Sequence, residues 1–200
     1  MKQHLQAKDF ITIGLYSIII FIIKSIVNAA MAPLSIVAMP YITGVGMFFS
    51  SLVYLLMVIR VGKQGPLLFM GIILGLIYTI MGAPLMLPLF TLAGLLAELT
   101  LIIGDGTQYR NVTRQAIAYS VFGAIYGFGG VINIYVFGKE SLEKMQFSQD
   151  TIERMLTYAY SPLWLTISIC FSVVMTLLGS YIAKKILQKH FVKAGYIQYQ

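Results

Sequence analysis

Two charged residues fall deep inside the long apolar runs of this 200-residue sequence, Lys24 and Glu98. Lys24 lies fourteen residues beyond Phe10, about 21 Å along a helix, and Asn28 stands one turn further on the same face. An ammonium at that depth costs roughly 2.5–3.5 kcal/mol on insertion scales, so such residues usually turn towards a bundle interior or a wet cavity. Two readings are open. Lys24 is an anion-binding group in a pocket at the outer side, or its stem lies in the bilayer while its ammonium reaches the headgroups. Glu98 has the chemistry to pair with a basic residue such as Arg110, to meet a partner subunit, or to carry a proton. An ion pair or a subunit contact is the expectation, because a proton-coupled carrier usually shows more than one buried acid.

Catalysis is not expected. No Walker A pattern is present, so ATP is not bound by that route. His4 and His190 both fall outside the apolar runs, and no Ser/His/Asp or paired-carboxylate arrangement is visible. Neither a cofactor nor a metal site is expected.

The elements that must hold these residues are membrane helices. Hydrophobic residues make up 58% of the chain and charged residues 10%, with a mean hydropathy of +0.84. A soluble domain carries about 25% charged residues, so bilayer is the solvent. The runs do not alternate as a transmembrane β-barrel requires; the stretch 18–23 is wholly apolar. The pattern therefore predicts an all-α, multi-pass membrane protein with six transmembrane helices, near residues 10–30, 41–59, 67–81, 85–103, 112–137 and 162–182. Pro33 and Pro40 bracket an outer connection, and a charged outer segment spans 138–161. There, Ser148 or Asp150 is a candidate cap for a short helix. The chain reads as one domain, 1–200, with no cleavable signal peptide, because Asp9 interrupts the basic N-terminal region.

Basic residues occupy every second gap. Lys2 and Lys8, then Arg60 and Lys63, then Arg110 and Arg114, then Lys184, Lys185, Lys189 and Lys193 all fall on one side. By the positive-inside rule both termini are cytoplasmic. This sorting also removes nucleic acid as a partner, since the +7 net charge is an orientation signal and a lure for anionic lipid. The lone Cys170 excludes an internal disulfide.

The topology gathers a set of side chains in the outer half. Met31, Met39, Tyr41, Met47, Met81, Met86, Tyr126, Tyr135, Tyr158, Tyr160 and Trp164 are together more than an interfacial belt requires. Of these, Met31, Tyr41, Met86, Tyr126, Tyr160 and Trp164, with Lys24, Asn28 and Asn133, are the candidate substrate-binding residues. Gly71 with Gly75, and Gly123 with Gly127, form GxxxG pairs suited to close helix approach. Gly129 and Gly130 extend the second pair and could leave that helix kinked beside a ligand.

Three stretches carry a family resemblance: Lys8-Asp9-Phe10-Ile11-Thr12-Ile13-Gly14; Ala93-Gly94-Leu95-Leu96-Ala97-Glu98-Leu99 with Tyr109-Arg110; and Lys184-Lys185-Ile186-Leu187 through Lys189-His190-Phe191-Val192-Lys193-Ala194-Gly195. On these the chain resembles the S components of energy-coupling factor (ECF) transporters, and within them the Trep_Strep (MptE-like) group. The resemblance implies a bacterial cell-membrane module that captures a vitamin- or cofactor-like molecule at its outer side. It implies delivery through a T component and two ABC-type ATPase subunits. The docking surface would include Gly14, Ser17, Glu98, Lys184 and Lys185, although the small-residue pattern usual in the first helix is missing near Gly14. A tetrapyrrole such as haem is the substrate suggested by the Met- and Tyr-rich outer half. The alternative is a stand-alone secondary carrier or facilitator for a small organic solute, a class that typically shows inverted repeats and broken helices.

Overall fold

The computed structural model describes residues 4–143 and 148–192. Among them all regular structure is helical. Helices α1 (Ala7–Met31) and α2 (Ser35–Val61) form a long pair, and α3 (Pro66–Ile80) and α4 (Met86–Leu99) a short hairpin. Helices α5 (Val112–Tyr126) and α6 (Gly129–Phe137) follow one another across a break. Two small helices, α7 (Glu140–Glu143) and α8 (Gln149–Tyr160), precede α9 (Pro162–Ile186). The chain end that carries Lys193, Ala194 and Gly195 lies outside the described residues.

All six expected helical segments are present, and they differ in length. The stretches Ala7–Leu34, Val37–Val61, Val112–Phe137 and Pro162–Lys189 are long and apolar enough to cross a membrane. Helices α3 and α4 have 15 and 14 residues, about 22 and 21 Å against a hydrocarbon core of about 30 Å. The fourth segment stops at Leu99 instead of continuing to 103. There the Thr100 hydroxyl donates to the Ala97 carbonyl at 2.7 Å and the Leu101 amide turns back to the Glu98 carbonyl at 2.9 Å. The first connection is also shorter than the prolines suggested. Only Ala32–Leu34 separates α1 from α2, and Pro40 sits inside α2. Five residues past the start of α2 its missing N–H removes one backbone bond, and the helix continues through it to Val61.

Helix α1 shows how lipid and core divide one apolar segment. Ile11, Leu15, Ile18, Ile22 and Ile26 are exposed, whereas Ile13, Ser17, Ile20, Lys24 and Val27 are buried. The two stripes follow the 3–4 spacing of a helix. Apolar exposure of this kind recurs on α4 and α9, as a bilayer-facing surface requires.

Glycines set the closest approaches. A side chain on Gly71 would run into the Phe90 carbonyl, and one on Gly75 would meet the Leu87 Cα at 2.6 Å. Gly94 returns the contact from α4 against Leu68, 2.8 Å away, so the hairpin interlocks from both sides. Gly179 does the same for α9 against Phe48 of α2. These pairs of helices form the most extensive packing in the fold.

At the basic end, Asp9 and Lys63 pair at 2.7 Å with little exposure, which pins the start of α1 to the turn between α2 and α3. At the far end, Ser148 caps α8 by accepting from the Thr151 amide, as its sequence suggested. The apolar face of α8, with Ile152 and Ala159 buried, packs on Val131, Ile134 and Leu142.

Candidate ligand-binding site

Lys24 is 3% exposed. Its place in the inward stripe of α1 turns the ammonium into the bundle rather than out to headgroups. Nζ lies 3.1 Å from the Met47 Sδ on α2 and 3.4 Å from the centre of the Tyr126 ring on α5. The Phe122 ring is further off, at 5.9 Å. The two ion pairs among the described residues, Asp9–Lys63 and Lys139–Glu143, do not involve it. A buried cation held only by a thioether and ring faces keeps most of its charge uncompensated.

This ammonium lines a cavity of about 300 Å³. Four layers of structure contribute: Lys24 and Asn28 from α1; Met39, Ile42, Thr43 and Gly46 from α2; Tyr78, Met86 and Phe90 from the α3–α4 hairpin; and Tyr126, Gly129, Gly130 and Asn133 from α5 and α6. Met155 of α8 completes it. Asn28 is exposed and Asn133 half-buried, so the cavity opens beside them. Its inner wall is aromatic. Tyr126 stacks on Phe90 with centroids 4.4 Å apart, and the hydroxyls of Tyr78 and Tyr126 share a hydrogen bond of 3.0 Å. The break between α5 and α6 falls where glycine recurs, and it brings Gly129 and Gly130 to the cavity.

Five of the nine expected binding residues therefore meet around one space: Lys24, Asn28, Met86, Tyr126 and Asn133. The other four lie elsewhere. Met31 ends α1 outside the lining. Tyr41 faces α9, edge-on to Phe171 at 5.0 Å. Tyr160 and Trp164 flank the corner at Ser161, packed on Tyr135 and Tyr158 respectively. Sequence reasoning missed Tyr78 and Phe90. Tyr78 continues the Gly71–Gly75 face of α3 by helical spacing, which is the signal that would have placed it inward. Met155 belongs to the apolar face of α8 and carried the same kind of signal.

The residues assigned to docking divide as well. Gly14 is half-buried with open space beside it, while Ser17 is buried and donates to the Ile13 carbonyl at 2.7 Å. Glu98 is 6% exposed and does not pair with Arg110. Its Oε1 instead accepts from the Gly65 and Leu67 amides at 3.1 and 2.9 Å, at the start of α3. Lys184 is half-buried, and the exposed Lys185 rests its ammonium 4.5 Å from the Tyr181 ring.

A larger concavity, of about 1010 Å³, lies at the basic end between Lys63, Asp105 and Arg110. Its charges are largely answered locally. Lys63 has Asp9, and the Arg114 guanidinium nearby donates to the Ile103 carbonyl. The Thr107 hydroxyl and amide hold the Asp105 carboxyl below the usual carboxylate range, so an anion already stands there. Arg110 is exposed to solvent, and among the described residues the buried cation without an acidic partner is at the other end.

The family model described as a hypothetical bacterial integral membrane protein, Trep_Strep, matches residues 7–193. No curated protein and no solved structure matches the chain.

Proposed function

The chain belongs to the Trep_Strep family of bacterial integral membrane proteins, and we propose that within it this protein is the substrate-binding S component of an ECF-type ABC importer. In this role it captures a small vitamin- or cofactor-like molecule at its outer side. A T component and two ABC-type ATPase subunits then drive delivery, and this chain itself hydrolyses nothing. One observation carries the proposal: a cavity at the end of the bundle away from the basic loops, with a buried, acid-free ammonium on its wall. Small-molecule sites are concave, mostly apolar and furnished with a few placed polar groups, and this one is built that way.

The topology that goes with this function has six spans and both termini in the cytoplasm. The short α3–α4 hairpin bears on the number of spans and not on the side of the termini. Whether the hairpin crosses fully or only dips into the bilayer, it leaves and returns on one side, so Lys63 and Arg110 share that side either way. A bilayer thinned locally around the hairpin accommodates its length at modest cost.

At about 300 Å³ the cavity lies at the lower end of ligand sites. It suits a small heterocycle or chain with one polar head, and a tetrapyrrole would have to project into the α7–α8 region. The rival reading, a stand-alone carrier, gains one point from the α5–α6 break. Such carriers use broken helices in repeat-related pairs, and among the described residues this one has no counterpart. Affinity purification of the tagged chain from its own bacterium tests the proposal. Co-purification of a T component and two ATPases, with ATP-dependent uptake after reconstitution, is the expected result. Uptake by the chain alone, driven only by a solute or ion gradient, would overturn it.

A further inference from the structure

The geometry points to a small organic monoanion as the ligand of this cavity, bound head-first between Lys24 and the N-terminus of α6. This rests on the cavity being the substrate site, and it adds the ligand's charge, size and orientation.

Charge comes first. Lys24 is the one charged side chain among the described residues that line the cavity. Its ammonium has a thioether and ring faces for company, none of which carries a full negative charge. A neutral ligand would shut that cation away from water without a counter-ion. A dianion would bring a second negative charge that no lining cation answers. A single carboxylate, or a comparable singly charged head, balances the site.

Orientation follows from a second, independent feature. Helix α6 has nine residues and begins at Gly129, and the first amides of a helix have no acceptor within it. Gly129 and Gly130 line the same cavity as Lys24; a Cβ on Gly129 would press on Met86 and Phe90 at 3.2 Å, whereas one on Gly130 would meet nothing within 4 Å. The backbone at Gly130 is open to a ligand. Helix N-termini favour anions through these amides and the helix dipole, so cation and dipole act on one head group.

The rest of the wall describes the body of the ligand. Both faces of the Tyr126 ring have neighbours, Phe90 stacked on it and Lys24 above it, so that ring offers no stacking platform. Beside Tyr78 and Phe90 the wall is furnished by Met39, Met86, Met155 and Ile42, which are apolar and, for methionine, adaptable. An apolar body of modest size fits them, with Asn28 and Asn133 at the opening to meet a polar edge.

Matched acids and amides test this. Purified protein in detergent is titrated with benzoate and benzamide, phenylacetate and phenylacetamide, octanoate and octanamide, and with the dianion phthalate. Each acid is expected to bind at least tenfold more tightly than its amide, and benzoate more tightly than phthalate. Lys24→Met is expected to weaken the acids by about tenfold to a hundredfold, the worth of a charge-assisted hydrogen bond, and to leave the amides unchanged. Lys24→Arg retains the charge and is expected to retain the preference, which guards against a fold defect in the first variant. Three results would overturn the proposal: equal affinity for acid and amide, an acid preference that survives in folded Lys24→Met, or no binding by any acid of the panel. None of these bears on the importer role, which co-purification of the T component and ATPases decides separately.

Discussion

Glu98 of α4 holds the first amides of α3. Its Oε1 sits 2.9 Å from the Leu67 amide and 3.1 Å from that of Gly65, on either side of Pro66, which has no N–H to satisfy. A carboxylate at this place also meets the positive end of the α3 dipole. A helix usually takes its cap from its own preceding residues, and here the neighbouring helix supplies it. Leaving a buried donor without an acceptor costs about 1–3 kcal/mol, so Glu98→Ala is expected to lower stability by at least that much. Glu98→Gln keeps an acceptor oxygen and is expected to cost clearly less. Thermal unfolding in detergent checks both. An Ala variant as stable as wild type would return Glu98 to a role in subunit contact.

The glycines make a contrasting set. Gly75→Leu drives a side chain into the Leu87 backbone, and overpacking of this kind costs typically about 1–3 kcal/mol. Gly14→Ala meets nothing within 4 Å and is expected to leave unfolding unchanged. Because Gly14 is also a docking candidate, the second variant separates two effects. Loss of uptake by Gly14→Ala with intact stability and ligand binding would place the partner surface on α1.

The Asp9–Lys63 pair ties two ends of the bundle's basic face. Asp9→Asn, Lys63→Met and the double variant form a thermodynamic cycle, and contacting residues of this kind couple by about 0.5–3 kcal/mol. A coupling of zero would mean that the pair only decorates the surface.

Reporter fusions near Lys63, near Arg110 and at the C-terminus are expected to read cytoplasmic, and one at Gln149 external. A cytoplasmic signal at Gln149 would remove the crossing assigned to α5 and α6.

The basic end of α9 is far from the cavity and free to meet acidic lipid or partner subunits. Replacing Lys184, Lys185 and Lys189 together is expected to impair uptake in cells while ligand affinity of the purified protein stays within about twofold, well below one power of ten in free-energy terms. Loss of affinity in a folded variant would refute that division.

Sequence periodicity made the helices legible because composition alone fixed the solvent as lipid. The depth of Lys24 was legible too, by counting along α1. Its direction was harder to read, since α1 is apolar nearly all round. Yet Ser17 stands seven residues before Lys24 on the same face, and two polar residues at that spacing mark the inward side. The pairing of Glu98 with Arg110 failed because a basic partner was sought for an acid that meets backbone amides, and amides leave no trace in composition. Tyr41, Tyr160 and Trp164 were gathered by depth alone. Depth places a side chain along the bundle axis and says nothing about the angle at which it points.

Below the cavity the rings close ranks. Tyr126 leans on Phe122, Phe122 on Tyr119, and Tyr119 lies flat on Tyr54 with centroids 3.9 Å apart, while the Tyr54 hydroxyl is tied to Gln115. All of Tyr54, Tyr119 and Phe122 are sealed from solvent. The cavity is a cul-de-sac. Among the described residues these packed rings close the floor, so a molecule that enters by the mouth beside Asn28 and Asn133 leaves by it. Under the importer role proposed above, inward delivery would then not thread the solute down the protein's own axis. The doorway itself would have to change sides, and the work of turning it would fall to the partner subunits of that proposal.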